Sequence, residues 1–78
     1  MPNHNVTVYS TPTCPFCVMS KRYFDAKKVK YSDVDVSRDQ QAAMDMVKKS
    51  GQMGVPVIDI DGRIIVGFQP EVFDQLLA

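Results

Sequence analysis

Tryptophan is absent, histidine occurs once and cysteine twice. Tetrahedral zinc takes four ligands. Cys14, Cys17 and His4 are therefore too few, and a zinc or iron–sulfur centre would need ligands from a second subunit or from small thiols. Neither sign of charge is in excess, with nine Lys and Arg against nine Asp and Glu. Without a basic run to neutralise phosphates, no nucleic-acid partner is expected. No apolar stretch approaches the roughly 20 residues that span a bilayer, so no membrane partner is expected either. The opening "MPNHNVTVYS" has no charged segment leading into an apolar one, unlike a secretory signal, and the expected compartment is the cytoplasm. Thiols there are kept reduced, and a cysteine pair is more often catalytic or metal-binding than structural. Repeats, low-complexity tracts and linkers are also missing.

What is present is apolar content of 45% in 78 residues, enough for one core and one domain, residues 1–78. "NVTVYS" (5–10) alternates as a strand does. From Pro15, the residues Phe16, Met19, Tyr23 and Phe24 recur at helical spacing to about Lys28, with cations toward the C-terminal end. "VKYSDVDVS" (29–37) reads as a second strand. "SRDQ" (37–40) fits a capping box from Ser37 to Gln40, opening a helix with Ala43, Met46, Val47 and Ser50 on one face and Gly51 as its stop. "VPVIDI" (55–60) and "RIIVG" (63–67) are strands joined by the two-residue turn Asp61-Gly62. Pro70 opens a last helix carrying Val72, Phe73, Leu76 and Leu77. The order β-α-β-α-β-β-α predicts an α/β fold of three layers around a four-stranded mixed sheet. Its first two strands are parallel and its last two form a hairpin.

Both cysteines lie in "STPTCPFC" (10–17). With Pro15 as the first helical residue, Cys14 is the N-cap, and its sulfur faces the unpaired N–H groups of the first turn, those of Phe16 and Cys17. These donors and the helix dipole favour the thiolate, which is the nucleophilic form. Cys17 sits one turn inside, less exposed and harder to ionise. Helix neighbours three apart lie about 5–6 Å from each other, within the span of a disulfide. The pair can therefore open and close a Cys14–Cys17 disulfide, with Cys14 attacking a substrate disulfide and Cys17 releasing it. A staple across so short a loop would constrain the unfolded chain little. Metal or cluster binding across a dimer remains the alternative. The second signal is Val55-Pro56. Pro56 is either a plain strand starter or the second half of a cis bond that leaves the Val55 backbone free to pair with an extended peptide. Cis bonds are about 5–6% of X–Pro bonds, so the residues alone leave both open.

Together, "TPTCPFC", "GVPVIDIDG" and "IIVGF" resemble the glutaredoxin family over nearly the whole chain. The resemblance implies a thioredoxin-like fold and thiol–disulfide oxidoreductase activity on protein disulfides or glutathione mixed disulfides. It implies Cys14 as nucleophile, Cys17 as resolving thiol and a cis bond before Pro56. The substrate groove is expected at Thr11, Pro15, Phe16, Val55, Pro56, Gly67 and Phe68, with Phe68 either core packing or an exposed contact near the thiols; no metal and no tightly bound cofactor are expected. Many glutaredoxins have a lysine three residues before the first cysteine and a Gly-Gly pair after the last strand. Here those places hold Thr11 and Gly67-Phe68. These departures resemble the small glutaredoxin-like hydrogen donors that thioredoxin reductase often reduces. Glutathione remains the other possible electron donor, and a monomer is expected.

Overall fold

Period-two alternation places Val6 and Val8 on one side of the first strand and Tyr9 on the other, and all three are buried. In the computed structural model, which describes residues 4–77, seven elements follow in chain order. They are β1 (Val6–Ser10), α1 (Pro15–Ala26), β2 (Ser32–Asp35), α2 (Gln40–Ser50), β3 (Val57–Ile60), β4 (Arg63–Val66) and α3 (Pro70–Leu77). The sheet order is β2-β1-β3-β4. β1 runs parallel to β2 and antiparallel to β3, and β4 pairs antiparallel with β3. This is the mixed four-stranded, thioredoxin-like architecture expected from the element order.

The register lines up Val8, Ile58 and Ile65 across three strands. With Val6 and Ile60 they meet Phe24 of α1 and Phe73 of α3 in the larger core. The Phe24 and Phe73 rings lie 5.1 Å apart, and Tyr31 approaches Phe24 at 5.9 Å. On the opposite face Tyr9, Val57 and Met46 form a smaller core under α2. The sheet is thus sandwiched, with α1 and α3 on one side and α2 on the other. Burying a large apolar side chain stabilises by roughly 1.5–3 kcal/mol, so the two-helix face contributes most of the fold's stability.

Element ends depart from the sequence reading in three places. First, α1 stops at Ala26, and Lys27 and Lys28 form its cap. Lys28 takes φ 58°, its N–H donates to the Asp25 carbonyl, and the Val29 N–H donates to the Phe24 carbonyl. That is a Schellman motif, completed by Val29 packing on the core that holds Phe24. Lys28 and Val29 are used in this closure, and β2 begins at Ser32 and not at Val29. Second, α2 is capped by Asp39, whose carboxylate accepts from the Ala42 N–H at 3.0 Å. The expected Ser37–Gln40 box is absent because both the Ser37 N–H and hydroxyl bond to Asp35. An aspartate two residues back competes for Ser37, and Asp39 is itself a strong N-cap. Third, β3 begins at Val57, after the Val55–Pro56 bend. Gly51 closes α2 in the left-handed region as expected. Asp61 and Gly62 both take positive φ, the signature of a type I′ hairpin turn.

Candidate active site

Three loops meet at one end of the sheet: the turn from β1 into α1, the loop from α2 into β3, and the turn from β4 into α3. The first carries the cysteines. Pro15 is the first helical residue and Cys14 the N-cap, with extended backbone at φ −96°, ψ 111°. The Cys14 Sγ accepts the Cys17 N–H at 3.2 Å. The Phe16 N–H, expected beside it, is not among the hydrogen bonds of the described residues. The Cys14 N–H reaches back to the Thr11 carbonyl at 3.4 Å, which closes the turn. Both cysteines are free thiols.

The two sulfurs differ in environment. Cys14 is partly exposed, whereas Cys17 is fully buried. Burial, the first cause, pushes the Cys17 thiol up to about 12. The hydrogen bond to Cys14 and its charge add to this, while the Thr11 backbone and the more distant Lys21 oppose it. At neutral pH Cys17 therefore carries its proton. Among the described residues, no group of three His, Cys, Asp or Glu side chains could hold a metal ion.

The second loop brings Val55 to the first cysteine. The Cys14 thiol points at the Val55 carbonyl at 3.7 Å. The Val55–Pro56 peptide bond is cis, so the reading of Pro56 as a plain strand starter is replaced. Pro56 itself is buried. The third turn is tied to the second by the Gly67 N–H, which donates to the Pro56 carbonyl at 2.9 Å. Gly67 takes φ 87°, a region that penalises a side chain. Thr11, Cys14, Cys17, Val55, Pro56 and Gly67 are thus brought together. Phe16 projects from the first turn of α1, 57% exposed, and Pro15 is exposed next to it. Phe68 differs from these. It packs edge-on against Tyr23 and Phe73, with its ring in the core on the two-helix face.

Two cations, from helix α1 and the β2–α2 turn, are engaged with carboxylates. Lys21 pairs with Asp33 at 2.8 Å, and Asp33 also accepts from the buried Ser10 hydroxyl. Arg38 pairs with Asp35 across 3.6 Å at the surface. The Gln52 amide is turned onto Ser50 and Gly54. Gly54, the partner of that amide, is the sequence signal for this role, since a side chain there would meet the Gln52 oxygen.

Comparison with known proteins agrees with this geometry. The Glutaredoxin family profile matches residues 6–65. An uncharacterized glutaredoxin-like 8.6 kDa protein in the rubredoxin operon of Clostridium pasteurianum is 46% identical over 72 residues, 92% of this chain and 96% of that protein. Glutaredoxin 3 of Escherichia coli K12 is 33% identical over 63 residues, 81% of this chain and 76% of its own. The crystal structure of a thioredoxin-like protein superposes with a TM-score of 0.87 at 33% identity, covering 92% of this chain and 99% of the other. Family profile, relatives and a partly exposed Cys14 beside a buried Cys17 agree, and the chain belongs to the glutaredoxin family.

Proposed function

We propose that this chain is a monomeric, cytoplasmic thiol–disulfide oxidoreductase that reduces protein disulfides by a dithiol mechanism. Membership of the glutaredoxin family supports the reaction class. The observation that carries the mechanism is the asymmetry of the two sulfurs. Cys14 is reachable and held at a helix N-terminus, and Cys17 is buried and protonated.

The Cys14 thiolate attacks one sulfur of the substrate disulfide. The substrate S–S bond breaks, a mixed disulfide forms on Cys14, and the departing sulfur takes a proton from solvent. Bonding to substrate removes any charge from Cys14. Two of the causes that raise Cys17, the hydrogen bond to Cys14 and its charge, are then relieved. Cys17 gives up its proton and attacks the Cys14 sulfur. The mixed disulfide breaks, the second substrate sulfur leaves and is protonated, and the pair is left oxidised. Two electrons have passed to substrate.

Substrate binding falls to the residues gathered around Cys14. The Val55 backbone offers an edge to an extended segment of the partner. Thr11, Pro15, Pro56 and Gly67 shape the groove, and Phe16 gives an apolar contact. Phe68 acts from behind Gly67 through packing. Thr11 brings no cation to this end, and Gly67 is followed by a packed aromatic and not by a second glycine. Both features support thioredoxin reductase over glutathione as the electron donor, with no tightly bound cofactor.

Incubating the oxidised protein with thioredoxin reductase, and separately with glutathione and glutathione reductase, reads the donor from NADPH consumption. Faster consumption with thioredoxin reductase is expected, and the reverse order would reassign the donor to glutathione. Cys14→Ser should abolish disulfide reduction, and Cys17→Ser should accumulate a mixed disulfide detectable by mass. Equal residual activity in the two variants would refute the assignment of roles.

A further inference from the structure

Two side chains hold the loop between α2 and β3: the Ser50 hydroxyl bonds the Gln52 backbone, and the Gln52 amide bonds that of Gly54. The Gln52 Nε2 donates to the Gly54 carbonyl at 3.0 Å, and its Oε1 accepts the Gly54 N–H at 2.5 Å. A single amide thus engages both backbone groups of Gly54. Nε2 also reaches the Ser50 hydroxyl oxygen at 3.3 Å, and that hydroxyl lies 2.7 Å from the Met46 carbonyl in the last turns of α2. The clamp is therefore anchored on a helix. Gly54 accommodates it because a Cβ there would sit 2.7 Å from the Gln52 Oε1, closer than carbon and oxygen tolerate. The residue between, Met53, is turned outward and 80% exposed. The residue after, Val55, presents its carbonyl to Cys14.

We infer that Gln52 is a positioning residue: by clamping Gly54 it holds the Val55 backbone in register with Cys14 and with the extended segment of a disulfide-bearing partner. The inference rests on the proposed reading of Val55 as a substrate-pairing edge. Gln52 touches neither sulfur, so its loss should act on partner binding and leave the chemistry of Cys14 intact.

Gln52→Met keeps the length of the side chain and deletes all three hydrogen bonds. The expected result is a rise in KM for a protein disulfide of about threefold to tenfold, the range that the net worth of one hydrogen bond corresponds to. The value of kcat, and the rate of Cys14 alkylation by iodoacetamide, should stay within twofold. Hydrogen exchange at the Gly54 amide should accelerate by a similar threefold to tenfold. Gly54→Ala should reproduce the KM effect, yet add nothing in a Gln52→Ala background, where the oxygen that its methyl would meet is gone. A lowered melting temperature with KM and Gly54 exchange unchanged would overturn the inference, as would strictly additive effects of the two substitutions. Should the unsubstituted protein reduce no disulfide at all, the functional reading falls. Exchange at the Gly54 amide then decides the clamp by itself, acceleration in Gln52→Met supporting it and no change refuting it.

Discussion

The two ends of α1 obey opposite rules. Toward its C-terminus the pattern is ordinary: Phe24 is fully buried, Tyr23 packs on the core, and Asp25 and Lys27 face water. At its N-terminus the pattern is inverted. Phe16, Val18 and Met19 are 57%, 41% and 44% exposed, while Cys17 and the polar Ser20 are fully buried. The Ser20 hydroxyl is satisfied by the Phe16 carbonyl one turn back, at 2.9 Å. An end that only had to stabilise the fold would bury Phe16 and Met19. Leaving apolar surface in water around a reachable sulfur is a departure from local consistency of the kind that functional sites carry. Within one helix, the aromatic end supports the fold, and the thiol end is the one that the proposed function assigns to a partner.

That contrast can be broken experimentally. Phe24→Ala should cost about 3–5 kcal/mol by cavity formation, close to the whole stability of so small a domain. Urea denaturation followed by circular dichroism should show most of the cooperative transition lost, and a cost under about 1 kcal/mol would remove the distinction between the two ends. A smaller effect is expected from Cys17. Its thiol is raised from 9.0 to about 12 in the folded chain, so the native state holds that proton where the unfolded chain has released it. The associated stability is fully present below pH 9 and is lost as pH climbs toward 12. Tyr31 is also raised, chiefly by burial, and contributes a fall of the same sign. The diagnostic is therefore the difference between reduced wild type and Cys17→Ala, whose stability should decline less over that window. Parallel curves would mean that the buried thiol is not thermodynamically coupled to folding. Smallest in stability is Phe16→Ser, expected within about 0.5 kcal/mol of wild type because the ring is largely in water. Its effect should fall instead on KM for a protein disulfide, which should rise severalfold, while reduction of a small uncharged disulfide stays unchanged. Equal losses on both substrates would place Phe16 in the chemistry and not in docking.

Much of this was legible in the residues. Apolar strand-forming runs marked all four strands, Gly51 marked the end of α2, and Asp61-Gly62 marked the hairpin, because each is a local preference that tertiary contacts had little cause to override. Where two local preferences competed, the reading went astray. Asp35 and Asp39 divided Ser37 and the α2 N-terminus between them, and Lys28 and Val29 served a helix cap before Val29 could serve a strand. The buried face of α1 was not legible from its spacing. The recurrence of Phe16, Met19, Tyr23 and Phe24 marked a helix, but the buried stripe at its start runs through Cys17 and Ser20 to Phe24. No rule of hydrophobic patterning selects a cysteine and a serine over a phenylalanine and a methionine.

The sequence by itself determined the order of elements and the pairing of Cys14 with Cys17 at a helix start. Proline, glycine and three-residue spacing act through bonds only a few residues apart. Tertiary structure alone decided the rest: Val55 against Cys14 from 41 residues away, Gly67 tied to Pro56, and Phe68 turned into the core. Those relations depend on how three loops converge at one end of the sheet. That convergence is set by strand register and by the packing of both faces, neither of which is encoded in any single stretch of the chain.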